Sequence, residues 1–594
     1  MISVSPPSPV RSRVRARMVA EDWLGLSVVL ALFLLVLAPL GSVLVQAFVP
    51  GLFSGQAGQP GFSGLAEVFS RPLWQRSLTN SLFLATIAAC LGGAMGTGLA
   101  LLRQSPHLRL GGALDLAAWA VIILPSFLLA QGWTLFASRG GLAVTWFGLD
   151  WMPDLVFNRW GLAVIMALKA CPFAYLTVTA ALTWRVEDQF DAARLCGASR
   201  WRLLWTVRLP LLLPAILSGM VLVFIDTLGD FGLPAALATT YRFPTLTYAI
   251  YVAINQSPIR FDLAGVLAFY VTALMLCAVL SYLWLLRRRG FGVLEARAER
   301  GAAPPAPARI GPNMVAGLAL MLLLVIPIGS SALVSVTLQM SGGLEMSNLT
   351  LQHYRALFAE RAAFTEALGT SLRIAAIAAC GSGLLAAAAA YVTVFSDFRL
   401  KRLIDVTCTL SLAVPGVVLG IGYIFVWNAP PVARAGLSLY GTEAILVLAA
   451  IAGAVPVAVR VLLGAMAQVP ASMLQAAALQ GAGLWRRLAT ILFPLVSAAL
   501  ISATLTAFGA AMFDLAISSI LRPPRLEVLP VYVNRSFELG LFGQATAATL
   551  VAGGLTVFLI SVIRALTTHG LAWALAVKPA PITPPIPPGQ EPIR

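Results

Sequence analysis

Asp191-Ala-Ala-Arg-Leu-Cys-Gly197, followed by Ala-Ser-Arg200-Trp-Arg202 and then Leu209-Pro210, returns later in the chain as Gln475-Ala-Ala-Ala-Leu-Gln-Gly481, followed by Arg486-Arg487 and Phe493-Pro494. The two stretches lie 284 positions apart. Ala192, Ala193, Leu195, Gly197, Ala198, Trp201, Arg202, Thr206 and Pro210 recur as Ala476, Ala477, Leu479, Gly481, Ala482, Trp485, Arg486, Thr490 and Pro494. An Ala-rich run favours helix, Gly ends one, and Pro is accepted in the first turn of the next. Each stretch therefore predicts a short helix, a turn and a second helix.

What surrounds these stretches sets the fold class. Of 594 residues, 59% are hydrophobic and 11% charged, with mean hydropathy +0.88. An ordinary soluble domain carries about 25% charged residues, so a soluble globule is excluded. The net charge of +16 forms no nucleic-acid face, because the Arg residues sit in short clusters between apolar runs. A helix needs about 20 apolar residues to cross a bilayer. That ruler places twelve spans at 24–48, 79–103, 112–136, 160–184, 211–237, 262–286, 313–338, 368–394, 403–427, 441–466, 494–520 and 545–567. The first apolar run is too long for a cleaved signal peptide and reads as a retained span. The basic clusters at 11–17, 103–109, 185–208 and 287–289 fall on one side of these spans. The positive-inside bias makes that side, and both termini, cytoplasmic. The loops on the other side also carry Arg71, Arg76, Arg242 and Arg260. The six cysteines (Cys90, Cys171, Cys196, Cys277, Cys380, Cys408) are scattered without metal-ligand spacing and read as small apolar fillers.

The duplication is not confined to the opening motif. Ser81, Leu82, Ile87, Ala88, Ala89 and Cys90 recur as Ser371, Leu372, Ile377, Ala378, Ala379 and Cys380, and Pro125 recurs as Pro415, all 290 positions on. The second copy is thus six residues shorter between the two blocks. Six spans per copy is an even number, so both copies have the same orientation, as parallel repeats about an axis along the membrane normal. The predicted organisation is a basic N-terminus (1–23), a first six-helix repeat (24–290), a linker (291–312), a second repeat (313–570) and a Pro-rich tail (571–594). Ala296–Pro312 and the run after Lys578 are too polar and Pro-rich to bury a core and read as tethers.

The pattern Glu-Ala-Ala, three residues, Gly, then Leu-Pro about a dozen residues on resembles the cytoplasmic loop of the permeases of binding-protein-dependent ATP-binding-cassette (ABC) importers. Here it occurs twice, and the six-span unit around each copy fits as well. Asp191 and Gln475 stand where the family usually has Glu, which keeps the short helix and its Gly but not that carboxylate. The resemblance implies an all-α membrane protein of two six-helix repeats. It also implies coupling loops that dock on two copies of a separate ATPase, with solute delivered by a periplasmic binding protein. The coupling residues would be Asp191, Ala192, Ala193, Gly197, Arg200, Arg202 and Pro210 in one loop. In the other they would be Gln475, Ala476, Ala477, Gly481, Arg486, Arg487 and Pro494. No P-loop is present, since Lys169, Lys401 and Lys578 are the only lysines and none follows Gly. The chain is therefore expected to hold no ATP, magnesium or other cofactor and to catalyse nothing itself.

Ionisable groups inside spans are costly and mark candidate function. Asp226 and Asp230 fall one turn apart in the predicted fifth span, and Asp514 is the repeat equivalent of Asp230. Two readings stand: a set of carboxylates near the outer end of a cation pathway, or helix-end residues at the outer interface. Asp115 and Asp405 near the starts of the third and ninth spans suit helix N-termini. His107, His353 and His569 form no cluster, so no metal site is expected. Gly229-Asp-Phe-Gly-Leu-Pro234, with Thr247-Tyr-Ala-Ile-Tyr251, resembles the fused two-copy permeases of the ferric-iron type, a group similar to those for thiamine, 2-aminoethylphosphonate and polyamines. The resemblance implies iron(III) first. A proton-coupled secondary transporter can also have two parallel six-span repeats. Its usual Gly- and Arg-rich motif after the second span is not matched by the RQSPHLRLGG found at 103–112. No carboxylate–His or Ser–His set suggests a membrane enzyme.

Overall fold

A chain this apolar must satisfy its backbone internally, and helices do so within each segment. The computed structural model describes residues 9–52, 60–182, 195–197, 199–241, 243–288, 307–343, 345–359, 363–411 and 414–576, and its architecture is all-helical. Among them, ten helices are long and apolar enough to cross a membrane: Glu21–Phe48, Pro72–Arg103, Arg159–Leu182, Trp201–Gly229, Phe261–Leu285, Ile310–Ser335, Ala363–Phe395, Glu443–Met466, Leu484–Met512 and Phe542–Thr567. Two bent pairs bring the number to twelve when each is counted as one span.

The bent pairs correct the sequence reading of the third and ninth spans as continuous helices. Gly111–Ile123 and Ser126–Thr145 meet at 108°, and Lys401–Ser411 and Gly416–Trp427 at 117°. Pro125 and Pro415 stand at the two breaks. Proline lacks an N–H and disfavours helix in the residue before it, and both prolines sit in extended backbone (ψ 138° and 146°) as caps of the second segments.

The fifth and eleventh spans also differ. They begin earlier than predicted and end earlier, at Gly229 and Met512, with short helices Gly232–Tyr241 and Leu515–Leu521 beyond the break. The expected fresh start at Pro210 and Pro494 is absent. A five-residue π-helical turn at Leu204–Arg208 and Leu488–Leu492 carries the helix through each proline. Such π-turns absorb the missing hydrogen bond without ending the helix.

At the edges, the described helix runs from Pro9 through the predicted boundary at residue 23. The last helix reaches Ala576, inside the predicted tail. Most of the predicted linker (291–306) and tail (577–594) lies outside the described residues. The linker's end is not free: Asn313 Nδ2 donates to His107 O at 3.0 Å, its Oδ1 accepts from Arg109 N at 3.0 Å, and Pro307 O lies 2.8 Å from His107 Nδ1. All six cysteines are free thiols.

Within each repeat, the second, fourth and fifth spans pack through Gly and Ala, as small residues allow in lipid. The first span of each repeat instead crosses to the other repeat. Pro39 lies against Gly422, where an added Cβ would come within 2.4 Å of Pro39 O, and Pro327 lies against Gly132, where the distance would be 2.0 Å. Only glycine permits these approaches. Ser42 Oγ donates to Gly422 O at 3.2 Å, and Tyr423 OH to Leu35 O at 3.1 Å. The two halves are interlocked, and their interface runs through the broken spans.

Candidate functional site

Each broken span leaves a polar junction inside the bundle, and the two junctions face one cavity of about 860 Å³. Lys169, Asp226, Asp230 and Ser126 line it from the first repeat, and Thr409, Arg460 and Asp514 from the second. Lys169 stands ten residues into a 24-residue helix, about 15 Å from its start at 1.5 Å per residue. That is about half the thickness of a hydrocarbon layer of about 30 Å, whereas the two readings from sequence put the carboxylates near the outer end of a pathway or at the outer interface.

The first-repeat junction is an ion cluster. Lys169 Nζ is 2.5 Å from Asp226 Oδ2 and 3.5 Å from Asp230 Oδ2. Asp230 sits in the break after Gly229, and its Oδ1 accepts from Ser126 Oγ at 2.6 Å and Leu233 N at 3.4 Å. Its side chain is 4% exposed, and Oδ2 has no hydrogen-bond partner. Pro172 one turn beyond Lys169 cannot donate to Leu168 O, and Cys171 Sγ donates there at 3.3 Å instead. This keeps the helix that carries Lys169 intact.

The second-repeat junction keeps the carboxylate and loses its partners. Asp514 caps its short helix, accepting from Ile517 N at 2.9 Å. The repeat equivalents of Ser126, Lys169 and Asp226 are Gly416, Gly453 and Ala510. A side cavity of about 160 Å³ lined by those three residues lies beside Asp514. Arg460, a residue that the sequence reading did not single out, is bound to Thr409 and lies 3.4 Å from Asp405. Asp115, its counterpart, is held by Arg103 at 3.0 Å and by Tyr175. The signal for Lys169 was present in sequence as a lysine within an apolar run, but its partners stand 57 and 61 positions away.

The sequence-predicted coupling loops lie at the far end of the fifth and eleventh spans. Asp191, Ala192 and Ala193 fall outside the described residues. Gln475, Ala476 and Ala477 lie on the helix Ala471–Leu479, followed by a turn and the helix from Leu484. Gly197 and Gly481 have φ of +80° and +84°, left-handed conformations that favour glycine at a helix end. Leu195 and Leu479 are 89% and 90% exposed, with Trp201 and Trp485 nearly as open. Arg202 and Arg486 are exposed, as are Pro210 and Pro494; Arg200 opens the helix Arg200–Leu203. Arg487 differs from its neighbours: it is buried and lies 3.7 Å from Glu21 on the first span, which also accepts from Tyr391.

Two helical repeats, each with one broken apolar span, that enclose a charged cavity define a duplicated membrane permease. The family model described as binding-protein-dependent transport system inner membrane component matches residues 88–289 and again 381–569. The chain belongs to that family, as a multi-pass permease of the ABC importer type with two copies of its unit. It is 25% identical over 88% of its length to the ferric transport system permease protein FbpB of Actinobacillus pleuropneumoniae, of which 74% is covered. It is 29% identical over 37% of its length to the molybdenum transport system permease protein ModB of Escherichia coli K12, 96% covered. The sulfate transport system permease protein CysT of the same organism is 26% identical over 40% of the chain, 84% covered.

Proposed function

We propose that the chain is the permease of an iron(III) importer, conducting its cargo through the inter-repeat cavity by alternating access. The observation that carries this reading is the charge of the cavity wall. Asp226, Asp230 and Asp514 face it against Lys169, while Arg460 is matched by Asp405. An oxyanion such as molybdate or sulfate would meet an excess of negative charge, and a cation an attraction. The ferric permease relative, similar over most of the chain, supports the same choice. Thiamine and polyamines are cations too, and 2-aminoethylphosphonate carries an ammonium; the uptake test below separates them.

Work is supplied by two copies of a partner ATPase beneath the two coupling segments, which lie on the cytoplasmic face in this reading. Exposed Leu195, Trp201, Leu479 and Trp485 among Arg residues suit docking into protein grooves. From each segment one helix runs unbroken to the cavity. Trp201–Gly229 spans 29 residues, about 43 Å at 1.5 Å per residue, and ends beside Asp230. A displacement of the coupling segment is therefore delivered as a rigid-body movement to the carboxylate junction. A periplasmic binding protein presents the cargo at the opposite face.

The test is uptake by cells deprived of other iron importers and supplied with the chain, its ATPase and its binding protein. Radiolabelled iron(III) is expected to accumulate in an ATP-dependent manner, and labelled molybdate, sulfate, thiamine, spermidine and 2-aminoethylphosphonate are not. Accumulation of any of these without iron would overturn the reading.

A further inference from the structure

The two repeats treat equivalent carboxylates differently. Asp230 is held by Ser126, lies beside a second carboxylate and faces an ammonium, whereas Asp514 faces the cavity with the equivalents of all three partners replaced by Gly416, Ala510 and Gly453. Retaining one lysine between two aspartates in mid-membrane is costly compared with the Gly and Ala that the other repeat uses at the same places. A structural ion pair needs one carboxylate per ammonium; here there are two, and Asp230 Oδ2, in a side chain 4% exposed, has the Lys169 ammonium 3.5 Å away and no hydrogen bond. The arrangement is that of a two-carboxylate cation site with a cation already tethered in it.

We propose that Lys169 is a resident ammonium that occupies a cation site made by Asp226, Asp230 and the Ser126 hydroxyl, and that an oxygen-seeking metal cation passes the cavity by displacing it. This rests on the cation-permease reading above and adds a mechanism of selectivity. In the resting cavity the ammonium closes the site to water-borne monovalent ions, which gain too little from two carboxylates to displace a tethered charge. A multivalent cation gains more from the same oxygens and can. Asp514, across the repeat interface and without a cation of its own among the described residues, is the next anionic station. Among those residues no three His, Cys, Asp or Glu side chains are grouped as a metal centre, which suits a waypoint: conduction needs binding strong enough to enter and weak enough to leave. Lys169 is therefore a specificity-determining residue, and the asymmetry between the repeats gives the pathway one gated and one open carboxylate.

Binding of Tb³⁺, a trivalent oxygen-seeking probe read by its luminescence, tests this on the full chain in lipid nanodiscs. With neither ATPase nor binding protein present, the assay fails or succeeds independently of the uptake experiment. Removing the competing charge by Lys169→Gln is expected to tighten Tb³⁺ binding about ten-fold or more, and adding Asp230→Asn to that variant to abolish the gain. Should K169Q not assemble, Asp226→Asn and Asp230→Asn in the wild-type background, which lower the buried charge, are each expected to weaken Tb³⁺ binding by a similar factor. Binding unchanged by K169Q, a gain that survives D230N, or wild-type affinity in both Asn variants would overturn the proposal.

Discussion

At the scale of single residues, the second repeat's aspartate separates a structural from a transport role, because both can be measured on one variant. Asp514 caps the helix Leu515–Leu521 through the N–H of Ile517, and Asn caps about as well as Asp. Asp514→Asn is therefore expected to leave the amount of folded protein in the membrane unchanged and to lower iron uptake several-fold. Uptake at the wild-type rate would return Asp514 to a capping role alone. Gly481 is the second case. At φ +84° a residue with a Cβ is strained by roughly 1–2 kcal/mol, and Gly481 is exposed, away from the packed bundle. Gly481→Val should therefore distort the turn without disturbing the bundle. The expectation is an intact complex that still hydrolyses ATP but imports poorly, and full coupling in that variant would count against the loop's role. At this scale the sequence was partly legible. Repeat spacing led from Asp230 to Asp514, and pattern alone led to Gly197 and Gly481. Ser126 and Arg460 were not legible, and Lys169 only as a charge within an apolar run, because each takes its meaning from a partner on another helix.

At the scale of elements, hydropathy found each helix or bent pair that, among the described residues, is long and apolar enough to cross a membrane, but not how each one is built. Pro125 and Pro415 were visible as repeat equivalents, yet an apolar window averages over a single proline and draws one helix where there are two at 108° and 117°. The reverse occurred at Pro210 and Pro494, where Leu-Pro suggests a helix start and a π-turn carries the helix through. Proline alone does not decide between these outcomes; what packs against it does. Beyond Pro125 and Pro415 the second segment packs on the crossing first span of the other repeat, with Gly132 against Pro327 and Gly422 against Pro39. A side chain there would have to displace backbone. Gly422→Val is expected to destabilise the fold by about 3 kcal/mol or more, seen as a large fall in the melting temperature of the purified protein or its absence from the membrane. Gly41→Ala, on the same crossing span but with nothing within 4 Å, is the matching control and should be nearly neutral.

At the scale of the whole molecule, duplication and interlock determine how the halves depend on each other. A linker raises the effective concentration of one half for the other to the millimolar range, but it adds no contact. The contacts come from the crossing spans, which place Pro39 and Tyr423, and Pro327 and Gly132, on opposite sides of the repeat boundary. A half made alone leaves its first span without the surface it packs on and its broken span uncovered, with backbone at the break exposed to lipid, where unsatisfied polar groups are costly. The predicted linker makes this testable, since a chain break at residue 299 removes the tether and spares both bundles. Residues 1–298 and 299–594 made together are expected to co-purify through a tag on either one and to restore most of the iron uptake. Each made alone is expected to be degraded. Halves that are each stable alone and do not co-purify would mean that the crossing spans do not hold the permease together, and the cavity between them would lose its claim to be the pathway.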